Sequence, residues 1–146
     1  MLKIRQLEAR DKEVYFSLAS AFYNSEAVIH PVPIKNIEAT FNEMMRSRDY
    51  VDCYLAFEDE KAVGFFLIAK TFSQEAGGMV IWVEEIYIYE QYRGKGYGSE
   101  LMKFIQKKFP APRYRLEIEP ENDKARALYE RLGYKFLPYE QMLKGI

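Results

Sequence analysis

The sequence predicts a domain of mixed α/β class, in which helices pack on both faces of a central mixed sheet. Two hydrophobic periodicities alternate along its 146 residues and indicate the order β-α-α-β-β-β-α-β-α-β. The centre of this order is a strand, a helix and a strand over 79–89, 99–109 and 114–118, which favours a right-handed parallel crossover. Because 146 residues match one domain with one core, a single domain over 1–146 is expected.

Period-two alternation and runs of β-branched or aromatic residues predict five strands. In chain order they are residues 2–7, 53–57, 62–72, 79–89 and 114–118. The charged turn 58–61 joins the second and third strands as a hairpin, and Gly77 with Gly78 makes the next turn. The tail, residues 134–146, is expected to add one or two closing strands.

Four helices are predicted from apolar residues at helical spacing and from capping residues. The first helix is capped by Asp11, the second spans 34–47, and the third spans 99–109. The last helix is capped by Asn122 and ends at Gly133, a residue that readily adopts the left-handed conformation after a helix.

Composition excludes several classes of function. A net charge of −1 and a pI near 6.0 provide no general attraction for nucleic acid or for an anionic membrane. Apolar runs such as 65–69 are too short to cross a bilayer, and the charged first ten residues do not suit a signal peptide. One cysteine and one histidine leave no disulfide and no His/Cys metal cluster. We expect a cytoplasmic protein that binds no metal, nucleic acid or membrane.

A glycine-rich loop, RGKGYG at residues 93–98, follows the longest predicted strand and precedes a helix. Glycines at alternate positions permit positive φ and remove side chains, so backbone N–H groups can turn toward one point. The next helix adds its free N–H groups and the positive end of its dipole, and five basic residues over 93–108 face one acid. These features predict a phosphate or diphosphate site, although the spacing is neither that of a P-loop nor GxGxxG. The alternative is a flexible turn.

An acidic pair, Glu84 and Glu85, interrupts the longest apolar strand. Adjacent strand residues point to opposite faces, so at least one carboxylate of a central strand faces an interior or a cleft. Burial without a partner raises the pKa of a carboxyl group, which suits a general base. The alternatives are a bulge that brings both side chains to water, or pairing with a nearby Lys or Arg.

On the last predicted helix, Asn122 and Tyr129 lie two turns apart and can face one groove. The alternative is an ordinary capped helix in which Tyr129 is a core aromatic residue. Taken together, the loop, the acidic pair and this helix resemble the GCN5-related N-acetyltransferases (GNAT). The residues that match the family signatures R/Q-x-x-G-x-G/A and N-x-x-A-x-x-x-Y are Arg93, Gly96 and Gly98, and Asn122, Ala125 and Tyr129.

The resemblance covers essentially the whole chain and is strongest over 84–134. It implies a GNAT-like fold whose sheet is splayed between strands 79–89 and 114–118, with acetyl-coenzyme A (acetyl-CoA) in the opening. It implies that the pantetheine arm pairs with the backbone of Ile86, Tyr87 and Ile88. The residues implied for the diphosphate are Arg93, Gly94, Lys95, Gly96, Tyr97, Gly98 and Ser99, and Asn122 is implied to hold the arm or the acceptor.

The implied reaction is direct transfer of an acetyl group from acetyl-CoA to a primary amine of a small molecule or peptide in a ternary complex. Glu84 is expected to be the general base and Tyr129 the general acid, while the N–H of Ile86 stabilises the oxyanion. Which glutamate is the base depends on where the strand bulges. A weaker likeness to the polyamine (diamine) acetyltransferases implies that Glu85 anchors a cationic substrate.

The acceptor site is expected in two places, the segment 71–78 and the loop after the first helix, with Phe22, Tyr23, Asn24 and His30. His30 is interpreted as structural or solvent-facing, and Cys53 as a small core residue. The high aromatic content favours a homodimer, and the resemblance to the family implies one as well. Two other hypotheses remain: a CoA-binding regulatory module without turnover, and a structural domain that binds no CoA.

Overall fold

The computed structural model describes residues 2–145, which form one five-stranded sheet flanked by four helices. The strands are β1 (Leu2–Gln6), β2 (Val51–Glu58), β3 (Lys61–Ser73), β4 (Gly78–Ile88) and β5 (Arg113–Leu116). The helices are α1 (Lys12–Tyr23), α2 (Ile34–Arg46), α3 (Tyr97–Lys108) and α4 (Asp123–Arg131). All five predicted strands and all four predicted helices are confirmed, with bounds shifted by a few residues.

The strands lie in sequence order across the sheet. β1 to β4 pair antiparallel, and β5 joins β4 in parallel after the crossover through α3, as predicted. In the β2–β3 turn Asp59 and Glu60 have φ of 48° and 69°. Positive φ at both central residues is the geometry of a type I′ turn, which matches the twist of a hairpin. The predicted charged hairpin is therefore confirmed.

Alternate residues of β3 divide the core into two layers. Phe65 packs with the α1 and α2 residues Tyr15 and Phe41, whereas Phe66 packs with Leu101 of α3 on the other face. Because β3 is covered on both faces, its sequence is a continuous apolar run rather than an alternating one. The expected placement of helices on both faces is confirmed.

Two local expectations are wrong. Residues 134–145 contain no strand, and Ile146, which completes the predicted tail, lies outside the described residues. Pro138 has no N–H for a ladder, and β5 offers only four residues as a template, so pairing is weak there. Asp11 occupies the N-cap position of α1 without capping it. Its carboxylate instead accepts two hydrogen bonds from the Arg5 guanidinium, at 2.7 and 2.9 Å.

Candidate active site

β4 separates from β5 at an irregularity in the middle of the strand. The parallel pairing of β4 with β5 ends at Val83. On its other side β4 pairs with β3 through Val83 and Glu85, which leaves Glu84 as the extra residue of a β-bulge. A bulge bends a strand and increases its twist, so β4 diverges from β5 at this point. The splayed strands implied by the resemblance are confirmed.

Beyond the bulge, β4 presents backbone groups to the gap. Peptide groups alternate in direction along an antiparallel strand. The N–H of Tyr89 donates to a carbonyl of β3, so the backbone N–H and C=O groups of Ile88 and Ile86 point away from β3. Consistently, the carbonyl of Ile88 accepts a hydrogen bond from Nε of Arg93 at 2.9 Å, outside the sheet. Of the three residues predicted to pair with the pantetheine arm, Tyr87 directs its backbone groups toward β3, whereas Ile86 and Ile88 direct theirs into the gap between β4 and β5.

Residues 93–98, called the glycine loop here, begin a series of backbone N–H groups that are left unbonded. Gly94 and Gly96 have φ of 84° and 81°, a region that favours glycine. A Cβ atom at either position would meet nothing within 4 Å. The N–H groups of 94–99 have no hydrogen-bond acceptor within residues 2–145. The loop and the first turn of α3 therefore have the unbonded amides that an anion site requires.

The larger side chains of the glycine loop are each held by a neighbour. Arg93 is bound to the Ile88 carbonyl, and Lys95 Nζ lies 3.1 and 3.3 Å from the carboxylate oxygens of Glu58. The hydroxyl of Tyr97 donates to the same carboxylate. Because Lys95 is paired with an acid, the surplus of positive charge predicted for this region is smaller than the sequence suggests.

A cavity of about 920 Å³ lies between the glycine loop, β4 beyond the bulge and the start of α4. The predicted residues that line it are Ile86, Tyr87, Ile88, Arg93, Gly94, Gly96, Tyr97, Gly98, Ser99, Asn122 and Tyr129. Lys95 is the one predicted cofactor-binding residue that does not line it, and its side chain is paired with Glu58. The fold thus brings three separate parts of the sequence to one cavity.

Helix α4 supplies two polar side chains to this cavity. Oδ1 of Asn122 accepts the N–H of Ala125 at 3.2 Å, which confirms the predicted cap and leaves the amide nitrogen to donate. Tyr129 is 8% exposed and lines the cavity. Burial, with a smaller contribution from Tyr134, raises the pKa of Tyr129 to about 12. The hydroxyl of Tyr129 therefore keeps its proton at neutral pH.

The two glutamates of the bulge have different surroundings. Glu84 is exposed, and partial desolvation together with the charge of Glu117 raises its pKa. Glu85 is 8% exposed, and burial raises its pKa to about 7, although a hydrogen bond from Tyr23 opposes the shift. The Tyr23 hydroxyl donates to Oε2 of Glu85. Its other oxygen, Oε1, is buried and has no hydrogen-bond partner within residues 2–145.

The two predicted parts of the acceptor site behave differently. Asn24 and the residues after it, in the loop after α1, line the cavity, and Tyr23 contacts Glu85. Segment 71–78 is the far end of the β3–β4 hairpin, and none of its described residues lines the cavity. His30 is exposed, and Cys53 is fully buried in the core, where burial raises the pKa of its thiol.

Several residues of this region were not anticipated from the sequence, and three of them carry charges that bear on the site. Glu58 contacts the glycine loop from β2, Lys124 lines the cavity, and Glu117 lies near Glu84. Lys124 stands inside the Asn122–Tyr129 pattern, so its position in the sequence was a usable signal. No local pattern identifies Glu58 or Glu117, because their neighbours in space come from distant parts of the chain.

The described residues show no sign of two other kinds of site. Within residues 2–145 no helix is long and apolar enough to cross a membrane. The same residues contain no group of three His, Cys, Asp or Glu side chains placed to hold a metal ion.

Comparison with known proteins identifies relatives of this fold. The solved structure of AAC(6′)-Iy with the bisubstrate analogue CoA-S-monomethyl-acetylneamine is 17% identical, with a TM-score of 0.82 over 100% of this chain and 99% of that chain. A predicted acetyltransferase from Clostridium acetobutylicum, solved with acetyl-CoA, is 15% identical, with a TM-score of 0.81 over 99% and 96%. A ribosomal-protein-alanine N-acetyltransferase from Brucella melitensis biovar Abortus 2308 is 16% identical, with a TM-score of 0.73 over 100% of both chains. No curated protein matches the sequence.

At 15–17% identity these structures show the fold alone. The sequence profile of the acetyltransferase (GNAT) family matches residues 8–134, which include the bulge, the glycine loop and α4. The chain therefore belongs to the acetyltransferase (GNAT) family.

Proposed function

We propose that this protein transfers an acetyl group from acetyl-CoA to a primary amine of a small molecule or peptide, by direct attack in a ternary complex. One observation carries the proposal: residues 94 and 96–99, which have unbonded N–H groups, and the residues of β4 beyond the bulge border the same cavity. A diphosphate matches the N–H groups, because these groups and a helix N-terminus attract anions. An arm that contains amides matches β4, because it can pair there as an added strand.

The cavity has the size of a small-molecule site. A volume of about 920 Å³ is at the upper end of the roughly 300–1,000 Å³ typical of small-molecule sites. We assign the diphosphate to the backbone of 93–99, and the pantetheine arm to 86–88 and Asn122. Lys95 contributes its backbone N–H to this assignment, since its side chain is paired with Glu58.

Glu84 is the proposed general base. An alkylammonium group cannot attack a carbonyl until it loses a proton. Glu84 is accessible at the bulge, and its raised pKa makes its carboxylate a better proton acceptor. Glu85 is buried and bonded to Tyr23, so it is less accessible to the proton of the amine than Glu84 is. We therefore assign Glu85 to stabilise the positive charge of the acceptor instead.

Two further groups support the proposed chemistry of transfer. The N–H of Ile86 points into the gap and can donate to the thioester oxygen as it gains negative charge. Tyr129, which keeps its proton at neutral pH, can donate that proton to the departing sulfur. The amine loses two protons as it becomes an amide. Glu84 accepts the first before attack and passes it to solvent, and the second leaves the tetrahedral intermediate and restores Tyr129 after the tyrosine has protonated the departing thiolate, so the protons balance.

The base can be identified by replacing each glutamate with glutamine. Glu84→Gln is expected to lower kcat/KM by about 100-fold or more, as loss of a general base does. Glu85→Gln is expected to act mainly on the KM for the amine. If Glu85 is the base instead, the activity of the unmodified protein rises with pH around 7, and Glu85→Gln abolishes that rise.

The activity is tested by detecting free thiol in mixtures of protein, acetyl-CoA and an amine. The relatives include an aminoglycoside acetyltransferase and a ribosomal-protein-alanine N-acetyltransferase, so a broad panel is required. Polyamines, aminoglycosides, amino acids, and ribosomal or lysyl peptides are suitable members. We expect thiol release that depends on one class of amine. Absence of release with every member contradicts the activity for these classes.

The second candidate is a CoA-binding module without turnover. One observation favours it: neither glutamate of the bulge is among the residues that line the cavity. Calorimetry separates the two candidates. Tight binding of acetyl-CoA with no acetylated product from any amine would favour the module.

A further inference from the structure

The glycine loop has two sets of residues with opposite environments. Gly94 and Gly96 present bare backbone to open space. The residues between and beside them are held by the protein: Arg93 by the Ile88 carbonyl, and Lys95 and Tyr97 by Glu58. The amides of a glycine-rich segment have little intrinsic preference for one direction. Their direction in this loop therefore depends on the anchored side chains.

Among residues 2–145, Glu58 is the one acid that contacts both anchored residues on either side of Gly96. It is the last residue of β2, directly before the type I′ turn, and it lies 37 and 39 positions from Lys95 and Tyr97 in the sequence. Its side chain is 20% exposed. The hydrogen bonds from Tyr97 and Lys95 lower the pKa of Glu58, so the carboxylate stays charged at neutral pH.

We propose that Glu58 is a positioning residue for phosphate binding: by holding Lys95 and Tyr97, it fixes the amides around Gly96 toward the cavity. This inference rests on the proposed function, because the bound phosphate is that of coenzyme A. Glu58 is not among the residues that line the cavity, so its effect on the ligand passes through Lys95 and Tyr97. A site that is ordered before binding loses less entropy when the ligand arrives, so fixing the loop increases affinity.

The sign of the change in CoA affinity distinguishes this positioning role from a direct effect of the Glu58 charge. A negative charge near an anion site weakens anion binding. If Glu58 acted through its charge alone, removing it would strengthen the binding of CoA. If Glu58 positions the loop, removing it weakens binding. The two accounts therefore predict opposite signs for the same substitution.

The test is calorimetry of CoA with the full chain and three variants. Glu58→Ala is expected to raise the Kd by about tenfold, as loss of a charge-assisted anchor does. Glu58→Gln retains an acceptor for Tyr97 and is expected to have a smaller effect. The matched control is Glu60→Ala, which removes the same charge from the same turn. Glu60 is exposed and has no hydrogen bond or ion pair within residues 2–145, and its loss should leave the Kd unchanged or slightly lower.

A double-mutant cycle with Tyr97→Phe tests whether Glu58 acts through Tyr97. The double variant is expected to bind CoA about as weakly as the weaker single variant, because both changes release the same anchor. In kinetic assays the KM for acetyl-CoA should rise while kcat at saturation stays constant. Thermal unfolding of each variant identifies any general loss of folding.

The outcomes separate this inference from the proposed function. If the unmodified protein binds CoA and Glu58→Ala binds it equally well or more tightly, the inference is wrong and the proposed function stands. If the unmodified protein does not bind CoA, both are wrong. If Glu58→Ala is too unstable to assay, the Kd of Glu58→Gln for CoA and its KM for acetyl-CoA at constant kcat show whether binding is weakened or unchanged.

Discussion

Glu84 and Glu85 are neighbours in the chain with different environments, and the bulge decides which of them pairs with Leu67 of β3. The bulge leaves Glu84 exposed and buries Glu85 against Tyr23. Two carboxyl groups whose surroundings differ in this way can take different roles in one reaction. Tyr129 is the third titratable residue at this scale, and its burial keeps it protonated.

Tyr129→Phe tests the role of the tyrosine hydroxyl. We expect kcat to fall by roughly 10- to 100-fold, because a thiolate is already a fair leaving group and benefits only partly from a general acid. The KM for acetyl-CoA should change little, since the ring is retained. Steady-state thiol release measures both constants. Tyr134→Phe, in the adjacent ring, is the control, and an unchanged kcat in Tyr129→Phe would refute the role.

Glu85 makes the stability of the protein depend on pH. Its pKa is about 7 in the fold against an ordinary value of 4.5, so the folded state binds the proton more tightly than the unfolded state. The resulting stabilisation is complete below pH 4.5 and is lost as pH rises to about 7. We expect the free energy of unfolding to decrease by at most about 3 kcal/mol over that interval.

Urea unfolding at pH 5 and pH 8 measures this dependence. Glu85→Gln carries no titrating group and should lose most of the difference between the two pH values. Glu60→Gln changes an exposed acid of the β2–β3 turn and should retain the difference. Equal pH dependence in the unmodified protein and in Glu85→Gln would show that Glu85 is not its source.

At the scale of elements, the glycine loop connects β4 with α3. β4 no longer pairs with β5 at this end, and the first N–H groups of α3 are unbonded. The three glycines of the loop have different physical roles. Gly94 and Gly96 adopt positive φ, whereas a Cβ at Gly98 would lie 3.4 Å from Cδ2 of Leu128 on α4. The first two glycines determine the path of the loop, and the third allows α3 to lie close to α4.

Gly96→Ala and Gly77→Ala form a matched pair. Both glycines have positive φ, 81° and 72°, and a Cβ at either would meet nothing within 4 Å. Each substitution should therefore lower the free energy of unfolding by about 1–2 kcal/mol. Only the change at Gly96 places a methyl group beside the unbonded amides, so only it should weaken CoA binding. Calorimetry and urea unfolding measure the two effects, and equal CoA affinity in both variants would argue against the phosphate site.

For the whole molecule, the sheet carries two layers of core and opens at one place. β3 is buried on both faces, while the gap between β4 and β5 leaves the cavity between the α1 loop and α4. The tail after Gly133 leaves several large apolar side chains exposed: Phe136, Leu137, Tyr139, Met142 and Leu143. A homodimer stays a prediction, and the mass of the protein in solution, from light scattering, will decide it.

Binding of CoA should stabilise the whole molecule. At a free concentration of 100 times its Kd, the ligand adds about 2.7 kcal/mol to the free energy of unfolding. For a domain of this size we expect the Tm to rise by roughly 5–10 °C. Dephospho-CoA keeps the diphosphate and should also raise the Tm, whereas adenosine should not. A Tm that stays constant with CoA would support the structural-domain hypothesis.

Local patterns in the sequence were sufficient for much of this protein. The periodicities of the strands and helices, the glycine spacing over 93–98 and the Asn122 cap depend on contacts between residues close in the chain. Such contacts require no knowledge of the rest of the fold, and the family signatures lie within them. The class of the fold, the order of its elements and many of the residues that line the cavity could therefore be predicted.

Only the tertiary structure decided which neighbours those residues have. Tyr23 meets Glu85 across 62 positions, and Glu58 meets Tyr97 across 39. The bulge depends on the register of β4 against β3, which no local pattern specifies. The tail is a second example. Its residues can form a strand only by pairing with the edge of the sheet, and whether that edge is available depends on the folded chain. Burial, charge pairing and pKa follow from such distant contacts, so the sequence determined which groups are present and the fold determined what each can do.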